Sequence, residues 1–433
     1  MITRILHIAI LAALAVAPGV ATGQNSADTV LTLEQCRTMA LANNAAVRTA
    51  RNDVLSAQET RREAFTKYFP EVQGGVSAFW ANHDIIQYNV LDLLTLGIVK
   101  NGKAAGIWAV QPVFMGGRIV NGNKLAKVGE EAARIKQEQT ADQVRLATDA
   151  LYWQLVTLKS GRGTLLHAIA TLDTLGRQVK AAVDAGVTTN NDYLKVELKL
   201  NQFRADLVDL DNGIDVVSRL LGQQTGLGAD TRVDVSAVVP DSVPQYPQDI
   251  YVAPGEALSH TYDRQLLEKN VQAKELERKM EIGNYMPSLA VEAGWVYHNV
   301  FHQNHNFGGV MVTLSVPLSG WWGGSHAIKR KTLALENARI ERDNLSEKLQ
   351  IEIADKWDNL TAAHRKMRIA NEAIAQSNES LRLTRAYYEA GMNTITDLLD
   401  AETLNRQPRD QYTAAHGNFR VARAQYLAAI GPT

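Results

Sequence analysis

The sequence contains little of the chemistry that builds disulfide-bonded domains, metal centres or catalytic sites. Cys36 is the only cysteine among 433 residues, which excludes an intrachain disulfide, a cysteine-based zinc site and a Cys-x-x-Cys redox centre. A glycine-rich phosphate loop is also missing, and no Ser/His/Asp or paired-carboxylate arrangement stands out. We therefore predict that the protein is not an enzyme and has no cofactor, and that packing and assembly supply its stability.

Excess charge and long apolar runs are scarce as well. The formal net charge is −1, which gives no support to nucleic-acid binding. The one apolar run, residues 5–17, follows Arg4 and precedes small residues at Ala21 and Gly23. That order is typical of a removed signal peptide, which we assign to residues 1–23. An N-terminal membrane anchor is the disfavoured alternative, because the run is shorter than the ~20 residues that span a bilayer.

What the chain does contain is an internal duplication. Gly186 and Gly391 are 205 positions apart, and Asp192 and Asp397 keep the same spacing. Each copy places Gly just past a helical segment and then Thr-x-x-Asp, which suits a left-handed residue at a helix end followed by a new N-cap. We predict two helical hairpins with tips near 186–191 and 391–396.

The same order of elements surrounds both tips. Thr32 and Gln35 are placed as a capping box at the start of the first helix, and helical composition then runs to about Tyr68. Alternating apolar and polar residues predict two pairs of strands, at 70–82 and 104–115 and at 287–299 and 307–318. A loop from His83 to Gly102 separates the first pair. We divide the chain into a first repeat (24–237), a proline-rich join (238–254) and a second repeat (255–433).

Long helices with a heptad pattern follow each pair of strands. Leu151, Leu158, Leu165, Leu172 and Val179 recur every seven residues, which is the spacing of a coiled-coil seam. If the first of these helices runs without interruption from Asn121 to Asp184, it spans on the order of 100 Å. That is far longer than a globular domain needs.

The four strands are predicted to be amphipathic. We place the apolar face of the second strand at Gly106, Trp108, Val110 and Pro112, and we expect aromatic residues at the membrane interface. These aromatic residues are Trp80, Trp108, Trp295, Trp321 and Trp322. Amphipathic strands ending in aromatics are typical of outer-membrane barrels, whereas the alternative is a soluble sheet packed on the helices. The export signal and the four apolar faces favour the barrel.

Four strands cannot close a barrel, and open edges are not tolerated in lipid. Several chains must therefore pool their strands. Two chains would make a barrel filled by its own side chains, and three would make twelve strands around a lumen.

These features together resemble the TolC-type outer membrane efflux proteins, over essentially the whole mature chain. The resemblance rests on the opening Leu-Thr-Leu-Glu-Gln at 31–35, the Tyr-x-Pro strand starts, Pro112 and Pro317, and the Ala-Gly reversals. It implies an α+β membrane protein that is a homotrimer, with a twelve-stranded β-barrel in the outer membrane of a Gram-negative bacterium. A long antiparallel coiled-coil tunnel would extend into the periplasm.

The implied function is a passive exit duct for small molecules in a tripartite efflux system. Its partners would be outer-membrane lipid, a periplasmic adaptor and an inner-membrane pump. Type I protein secretion remains an alternative within the same class. From a different class, the chain could be an exported coiled-coil adaptor or scaffold.

The resemblance also places a periplasmic gate at the second tip. The family pattern Gly-x-x-Thr-Ile-x-Asp-x-x-Asp fits Gly391, Asp397 and Asp400, and two carboxylates three residues apart share one helix face. Asp397 has an alternative role as a helix-capping acid. Asp400 lies beyond the cap, and its counterpart in the first copy is Lys195, which favours a gate role for Asp400.

Two further groups of residues are weighed in the same way. The resemblance implies that Tyr388 bonds to Asp192 across neighbouring coils and holds the tip shut, whereas Asn393 stands where the family pattern has a basic residue. A second group, His298, His302 and His305, lies between the second pair of strands. We interpret these histidines as part of a polar loop rather than as a metal site, because no carboxylate accompanies them.

Overall fold

The computed structural model describes residues 29–83, 85, 87–90, 94–97, 99–299 and 304–431. The signal peptide assigned to residues 1–23 lies outside the described residues. The helices are α1 (Leu33–Asn43), α2 (Ala45–Thr66), α3 (Arg118–Asp184), α4 (Asn190–Gln224), α5 (Pro254–Ala257), α6 (Tyr262–Gly283), α7 (Trp321–Glu389) and α8 (Ile395–Ala429). The strands are β1 (Thr29–Leu31), β2 (Glu71–Trp80), β3 (Gln87–Val90), β4 (Leu94–Gly97), β5 (Asn101–Met115), β6 (Val233–Val235), β7 (Ser288–His298) and β8 (His305–Ser315).

The first helical segment begins where the sequence predicts, but it is divided into two helices, α1 and α2. The capping box between Thr32 and Gln35 is confirmed at the start of α1. Asn44 then ends α1 in extended backbone and caps α2, with its side-chain oxygen accepting from the Ala46 amide at 2.9 Å. Asparagine is a favoured N-cap because its short side chain reaches the free amides of the first turn. The expectation of one helix up to Tyr68 is therefore wrong.

The long helices are confirmed. α3 has 67 residues and α7 has 69, so each extends for about 100 Å. Leu165, Leu172 and Val179 of the heptad pattern are buried between α3 and α4. In the second repeat Leu360 and Met367 are buried between α7 and α8. Among the described helices, none has the length and the continuous apolar character of a membrane-spanning helix.

The helices lie side by side in two different orders along the molecule. Near the sheet the neighbours follow the order α2, α3, α6, α7, and near the hairpin tips they follow the order α4, α3, α8, α7. α3 and α7 take part in both layers because their 67 and 69 residues span the lengths of the 22-residue helices α2 and α6 and the 35-residue helices α4 and α8 together. At both levels one flank of α7 has no neighbouring helix among the described residues.

Four strands form one antiparallel sheet in the order β2-β5-β7-β8. The register pairs Val76 with Ala105, Ile107 with Trp295, and Val291 with Val312. Residues paired across antiparallel strands point to the same face, so one face of the sheet is apolar over all four strands. In the described part of the chain β2 and β8 each have a partner strand on one side only, which leaves two open edges.

The register corrects the predicted face of β5. Trp108 pairs with Gln73 and with Gly294, so it lies on the face opposite to Trp80 and Trp295. The apolar face of β5 is carried by Ile107 and its face-mates, and the assignment of that face to Gly106, Trp108, Val110 and Pro112 is wrong. The physical reason is that β5 is apolar on both faces between Ala104 and Val110, so alternation alone does not select one.

The segment between β2 and β5 also differs from the prediction. It was expected to be a loop from His83 to Gly102, but it contains the short antiparallel hairpin of β3 and β4. The proline-rich join at 238–254 has little regular structure and covers the middle of α7 and α8. Tyr412 donates to the Pro240 carbonyl at 2.8 Å, and the Val252 amide donates to the Tyr426 hydroxyl at 2.9 Å.

Candidate gate at the hairpin tips

Both tips reverse the chain through one left-handed glycine. Gly186 has φ 72° and Gly391 has φ 73°, a conformation that residues with a Cβ adopt only with strain. The Val187 amide donates to the Ala182 carbonyl at 2.9 Å, and the Met392 amide donates to the Tyr387 carbonyl at 2.8 Å. These are the C-terminal capping bonds expected when glycine ends a helix.

Each tip then begins the next helix with a threonine cap. Thr189 accepts from the Asp192 amide at 3.3 Å, and Thr394 accepts from the Asp397 amide at 3.2 Å. In the second tip the reciprocal bond is also present, from the Thr394 amide to the Asp397 carboxylate at 2.8 Å. Asp397 is therefore part of a complete capping box.

Hydroxyl groups hold both carboxylates in the ionised form. Thr188 and Thr189 donate to Asp192 at 2.8 and 2.9 Å, and these bonds lower the pKa of Asp192 below its usual value. Thr394 donates to Asp397 at 2.7 Å, and that bond is the main reason why the pKa of Asp397 is lowered. Neither acid needs a cation to stay charged near neutral pH.

The two tips differ at the third residue after each of these acids. Lys195 lies 3.7 Å from the Asp192 carboxylate and donates to Thr396 of the other hairpin at 3.1 Å. Asp400 occupies the same place in the second tip, is exposed, and has neither a hydrogen bond nor an ion pair with the described residues. The first tip is locally neutral, whereas the second carries two uncompensated negative charges.

Tyr388 lies near Asp192, but the predicted hydrogen bond between them does not form within the described part of the chain. The ring of Tyr388 packs against the apolar cluster shared by α3, α4 and α8. Burial raises the pKa of the Tyr388 hydroxyl, and the charge of Asp192 adds to the effect. Asn393 is half-buried, and its backbone amide donates to the Tyr387 carbonyl at 3.3 Å.

Ties between the two hairpins were missed by the sequence analysis. The Arg406 guanidinium lies 4.9 Å from the centre of the Phe203 ring and 3.6 Å from Asp206. Together with the Lys195–Thr396 bond, these contacts join α4 to α8 beside the tips. Helical spacing could not reveal them, because the partners lie in different repeats.

The remaining predicted residues lie far from the tips. Trp80 and Trp295 share the apolar face of the sheet, and Trp322 is exposed at the start of α7. Trp321 begins α7, but its side chain lies outside the described residues. The rings of His298 and His305 stack with centroids 5.5 Å apart, and His302 lies outside the described residues. No metal-binding group of His, Cys, Asp and Glu occurs among the residues that the structure describes.

A comparison with known families decides what kind of protein this is. The family model described as outer membrane efflux protein matches residues 37–226 and 253–432. The chain belongs to the outer membrane efflux protein family. Each matched stretch contains one hairpin, and the unmatched residues between them include most of the proline-rich join. The protein is thus an efflux channel component of the outer membrane, and its family consists of channels rather than enzymes.

Individual relatives are distant in sequence and close in fold. The chain is 23% identical over 392 residues to the outer membrane efflux protein BepC of Brucella suis, covering 88% of this chain and 81% of BepC. The structure of CusC superimposes with a TM-score of 0.79 at 14% identity, over 94% of both chains. VceC of Vibrio cholerae gives a TM-score of 0.77 at 15% identity, over 92% of this chain and 96% of VceC.

Proposed function

We propose that three copies of this chain form a closed duct, with a twelve-stranded barrel in the outer membrane and a helical tunnel in the periplasm. The duct would be the exit of a tripartite efflux system, receiving small molecules from an inner-membrane pump through a periplasmic adaptor. The observation that carries this proposal is that unpartnered surfaces lie on both flanks of the described chain, at the sheet and along the helices. The open edges of the sheet and the exposed apolar residues of α7 and α4 support an assembly of several copies.

The two edges of the sheet need partner strands. β2 and β8 are its two edges, and each edge leaves a row of backbone amide and carbonyl groups without partners. In lipid such groups must be paired, so β8 of one copy has to meet β2 of the next. Four strands from each of three copies give a barrel with a lumen, whereas two copies give a filled barrel.

A second unpartnered surface is an apolar stripe on α7. The stripe consists of exposed apolar residues that share one side of the helix over most of its length. These residues are Leu333, Ile340, Ile351, Ile369, Leu383 and Tyr387. At ~100° per residue they fall within an arc of roughly 40°. The residues of α7 that pack on α8, such as Leu360 and Met367, lie on the opposite side. A helix with two opposite apolar faces needs a neighbour on each.

α4 carries a corresponding stripe of exposed apolar residues. Leu194, Leu198, Val208, Val216 and Leu220 are exposed and lie opposite to the residues that pack on α3. Because α4 and α7 are the two outermost helices near the tips, rotation about a central axis brings α4 of one copy against α7 of the next. Above them, α2 of one copy meets α7 of the next in the same way.

This assembly gives the two faces of the sheet different environments. The face of Val76, Ile107 and Val312 would meet lipid, and the face of Trp108 and Gln73 would line the lumen. Trp80 and Trp295 would remain membrane-interface aromatics, whereas Trp108 would be a luminal residue. A Cβ on Gly75 would come within 2.9 Å of the Trp108 ring, so glycine at this position makes room for the ring on the inner face.

The tips would close the duct. With three copies, Asp397 and Asp400 would give six carboxylates around one axis, which attracts cations and disfavours anions. Asp400 would make the larger contribution, since Asp397 is already engaged by its capping box. Asp192, Tyr388 and Asn393, with the tip glycines Gly186 and Gly391, would shape the closed arrangement.

Mass measurement of the detergent-solubilised complex tests the assembly. We expect a mass of three chains that persists in detergent and is retained after high salt. A stable monomer or dimer would contradict the proposal, and release of the protein from membranes by high salt without detergent would instead indicate an exported adaptor or scaffold.

A further inference from the structure

A groove between α2 and α3 lies directly below the sheet and combines basic with aromatic residues. Its volume is about 820 Å³, and its lining includes Lys124 and Lys127 from α3 and Phe65 and Tyr68 from the end of α2. Lys124 and Lys127 are exposed. None of these residues has a role in the proposed duct. The groove therefore needs a function of its own.

The groove lies on the side of the helices that continues the lipid-facing surface of the sheet. A different cavity, lined by Gly122, Leu125, Glu71 and Val110, continues the opposite face of the sheet. On α3 the positions of Val120, Lys124 and Lys127 point away from Gly122 and Leu125, since they are displaced by about half a turn. In the trimer the groove would therefore open outwards, beneath the barrel.

Contacts at the top of the groove join it to the apolar face. Gln111, which pairs with Val291 on that face, donates its side-chain amide to the Tyr68 carbonyl at 3.0 Å. The rings of Phe65 and Tyr68 meet edge to face at 5.7 Å. Phe65 is more than half exposed, at 56%, and aromatic rings of this kind are common at membrane interfaces.

The charges of the groove are unequally neutralised. Glu130 is buried and accepts from Arg61 at 2.9 Å and from Arg134 at 2.7 Å. Lys124 has no ion pair with the described residues, and the ion pair of Lys127 with Glu131 is long at 3.9 Å. The Lys124 ammonium is therefore free to meet an anion, and the long contact with Glu131 leaves the Lys127 ammonium only weakly engaged.

The depth of these lysines matches the headgroup layer. α3 begins at Arg118, so Lys124 is about 9 Å and Lys127 about 14 Å below the sheet. Side chains of a helix tilt towards its N-terminus, which for α3 is the end at the sheet, and lysine stems extend along apolar surface with the ammonium in the polar layer. Both ammonium groups can thus reach the phosphate level of the adjacent leaflet.

The second repeat places basic residues at the same positions. Arg278 and Lys279 correspond to Arg61 and Arg62, at the spacing that relates Pro287 to Pro70. Lys329 corresponds to Lys124, at the spacing that relates Pro317 to Pro112. Thr332 stands at the position of Lys127, so a trimer would present the pair of lysines three times and the reduced basic set of the second repeat three times.

We propose that this groove binds an anionic glycerophospholipid of the periplasmic leaflet, with the headgroup phosphate on Lys124 and Lys127 and an acyl chain along Phe65, Tyr68 and Val120. The proposal rests on the proposed barrel for its orientation. Basic residues near a bilayer favour anionic over zwitterionic headgroups, whereas the aromatic wall distinguishes a lipid from free phosphate.

Native mass spectrometry tests the site with phosphatidylglycerol and phosphatidylethanolamine of identical acyl chains, supplied in equal amounts. We expect the wild-type complex to retain more phosphatidylglycerol. Lys124→Gln with Lys127→Gln should lower the ratio of the two retained lipids roughly fivefold or more. The matched control, Lys348→Gln with Lys366→Gln, removes the same charge from exposed positions of α7 far from the sheet and should leave the ratio unchanged.

Three results would overturn the lipid site: no preference in the wild type, an equal loss of preference in the control, or displacement of the lipid by millimolar inorganic phosphate. The same spectrum reports the number of chains. A failure of the trimer is therefore read from the protein mass, separately from the lipid ratio.

Discussion

α4 and α8 are equivalent helices of the two repeats, and they have different surroundings. α8 lies between α7 and α3, whereas α4 packs on α3 and touches α8 only near the tips. Thr413 and His416 of α8 are buried, but their counterparts 205 positions earlier, Val208 and Asp211, are at the surface. The duplication therefore preserves the helix itself, whereas the helices that pack against it differ between α4 and α8. An exposed valine where the equivalent helix is buried supports the proposal that the neighbour of α4 comes from another copy.

The largest effect should follow from disrupting the surface that α4 needs. Ile351→Glu with Ile369→Glu places two charges in the α7 stripe, where an assembled trimer would exclude water, and burying an unpaired charge is strongly unfavourable. We expect the detergent-solubilised protein to lose the mass of the trimer.

The control for this change is Gln350→Glu with Asn359→Glu, which adds the same charge to exposed positions of α7 outside the stripe. The control should remain trimeric. Retention of the trimer by both variants would show that the stripe is not an interface.

The next largest effect is expected from the pH dependence of stability, which should distinguish α8 from α4. His416 is fully buried against Trp153, and neither of its ring nitrogens has a partner among the described residues. Burial lowers the pKa of His416 to about 4, and the nearby Arg420 adds to this effect. Its ordinary value is about 6.5, so between these values the unfolded chain binds a proton that the folded chain does not.

Stability from His416 is therefore complete above about pH 6.5 and is lost as the pH falls towards 4, by about 3 kcal/mol per chain. His416→Leu should remove this part of the acid sensitivity. The measurement is the midpoint of thermal unfolding at pH 7.5 and at pH 5 for both proteins. An equal decrease of the midpoint in the variant would contradict the assignment.

Ion selectivity should show the difference between the two tips. Asp400→Lys gives the second tip the residue type that the first has at Lys195, and it changes the charge by two units in each of three copies. We expect the preference of single channels for cations over anions to decrease severalfold, because rings of like charge set this preference. Asp397→Asn is the control that removes one charge at the capping acid, and its effect should be smaller. If Asp397→Asn had the larger effect, the gate would depend on the capping acid instead.

The smallest effect is expected from removing the threonine N-caps of α4 and α8. Thr394→Ala and Thr189→Ala should each cost about 1 kcal/mol in the local stability of the first helical turn. The Thr394 variant should lose more, since Thr394 holds Asp397 alone whereas Thr188 still holds Asp192 in the first tip. Amide hydrogen exchange in the first turns of α4 and α8 measures the difference, and equal losses would show that the second hydroxyl contributes nothing.

The comparison also shows which features the sequence could predict. Capping boxes, left-handed glycines and heptads depend on residues a few positions apart, so Thr32, Gly186, Gly391 and the seam of α3 could be recognised directly. The break at Asn44 was a local signal as well, and it was overlooked. Trp108 was placed on the wrong face because alternation gives the period of a strand and leaves open which phase pairs with the next strand.

Long-range contacts could not be predicted in this way. Arg406 meets Phe203 and Asp206 only because α4 and α8 come together beside the tips, and the preference of His416 for the neutral form follows from the packing of α8 against α3. Spacing along one helix contains no information about a partner on another. The duplication does supply such information, since a contact seen between α3 and α8 predicts an equivalent contact between α7 and α4 of adjacent copies in the proposed assembly.

One such contact gives the most direct test of the trimer. The hydroxyls of Ser160 and Thr413 lie 3.3 Å apart between α3 and α8, and the duplication maps this pair onto Arg365 of α7 and Val208 of α4. The native Cys36 is fully buried, so it should not interfere. We predict that Arg365→Cys with Val208→Cys forms disulfides between chains on oxidation, giving covalent dimers and trimers on a non-reducing gel. The control Ser160→Cys with Thr413→Cys should cross-link within one chain and run as a monomer. Monomers from the first pair, with the control cross-linked, would contradict the central claim that α4 completes its packing against α7 of another copy.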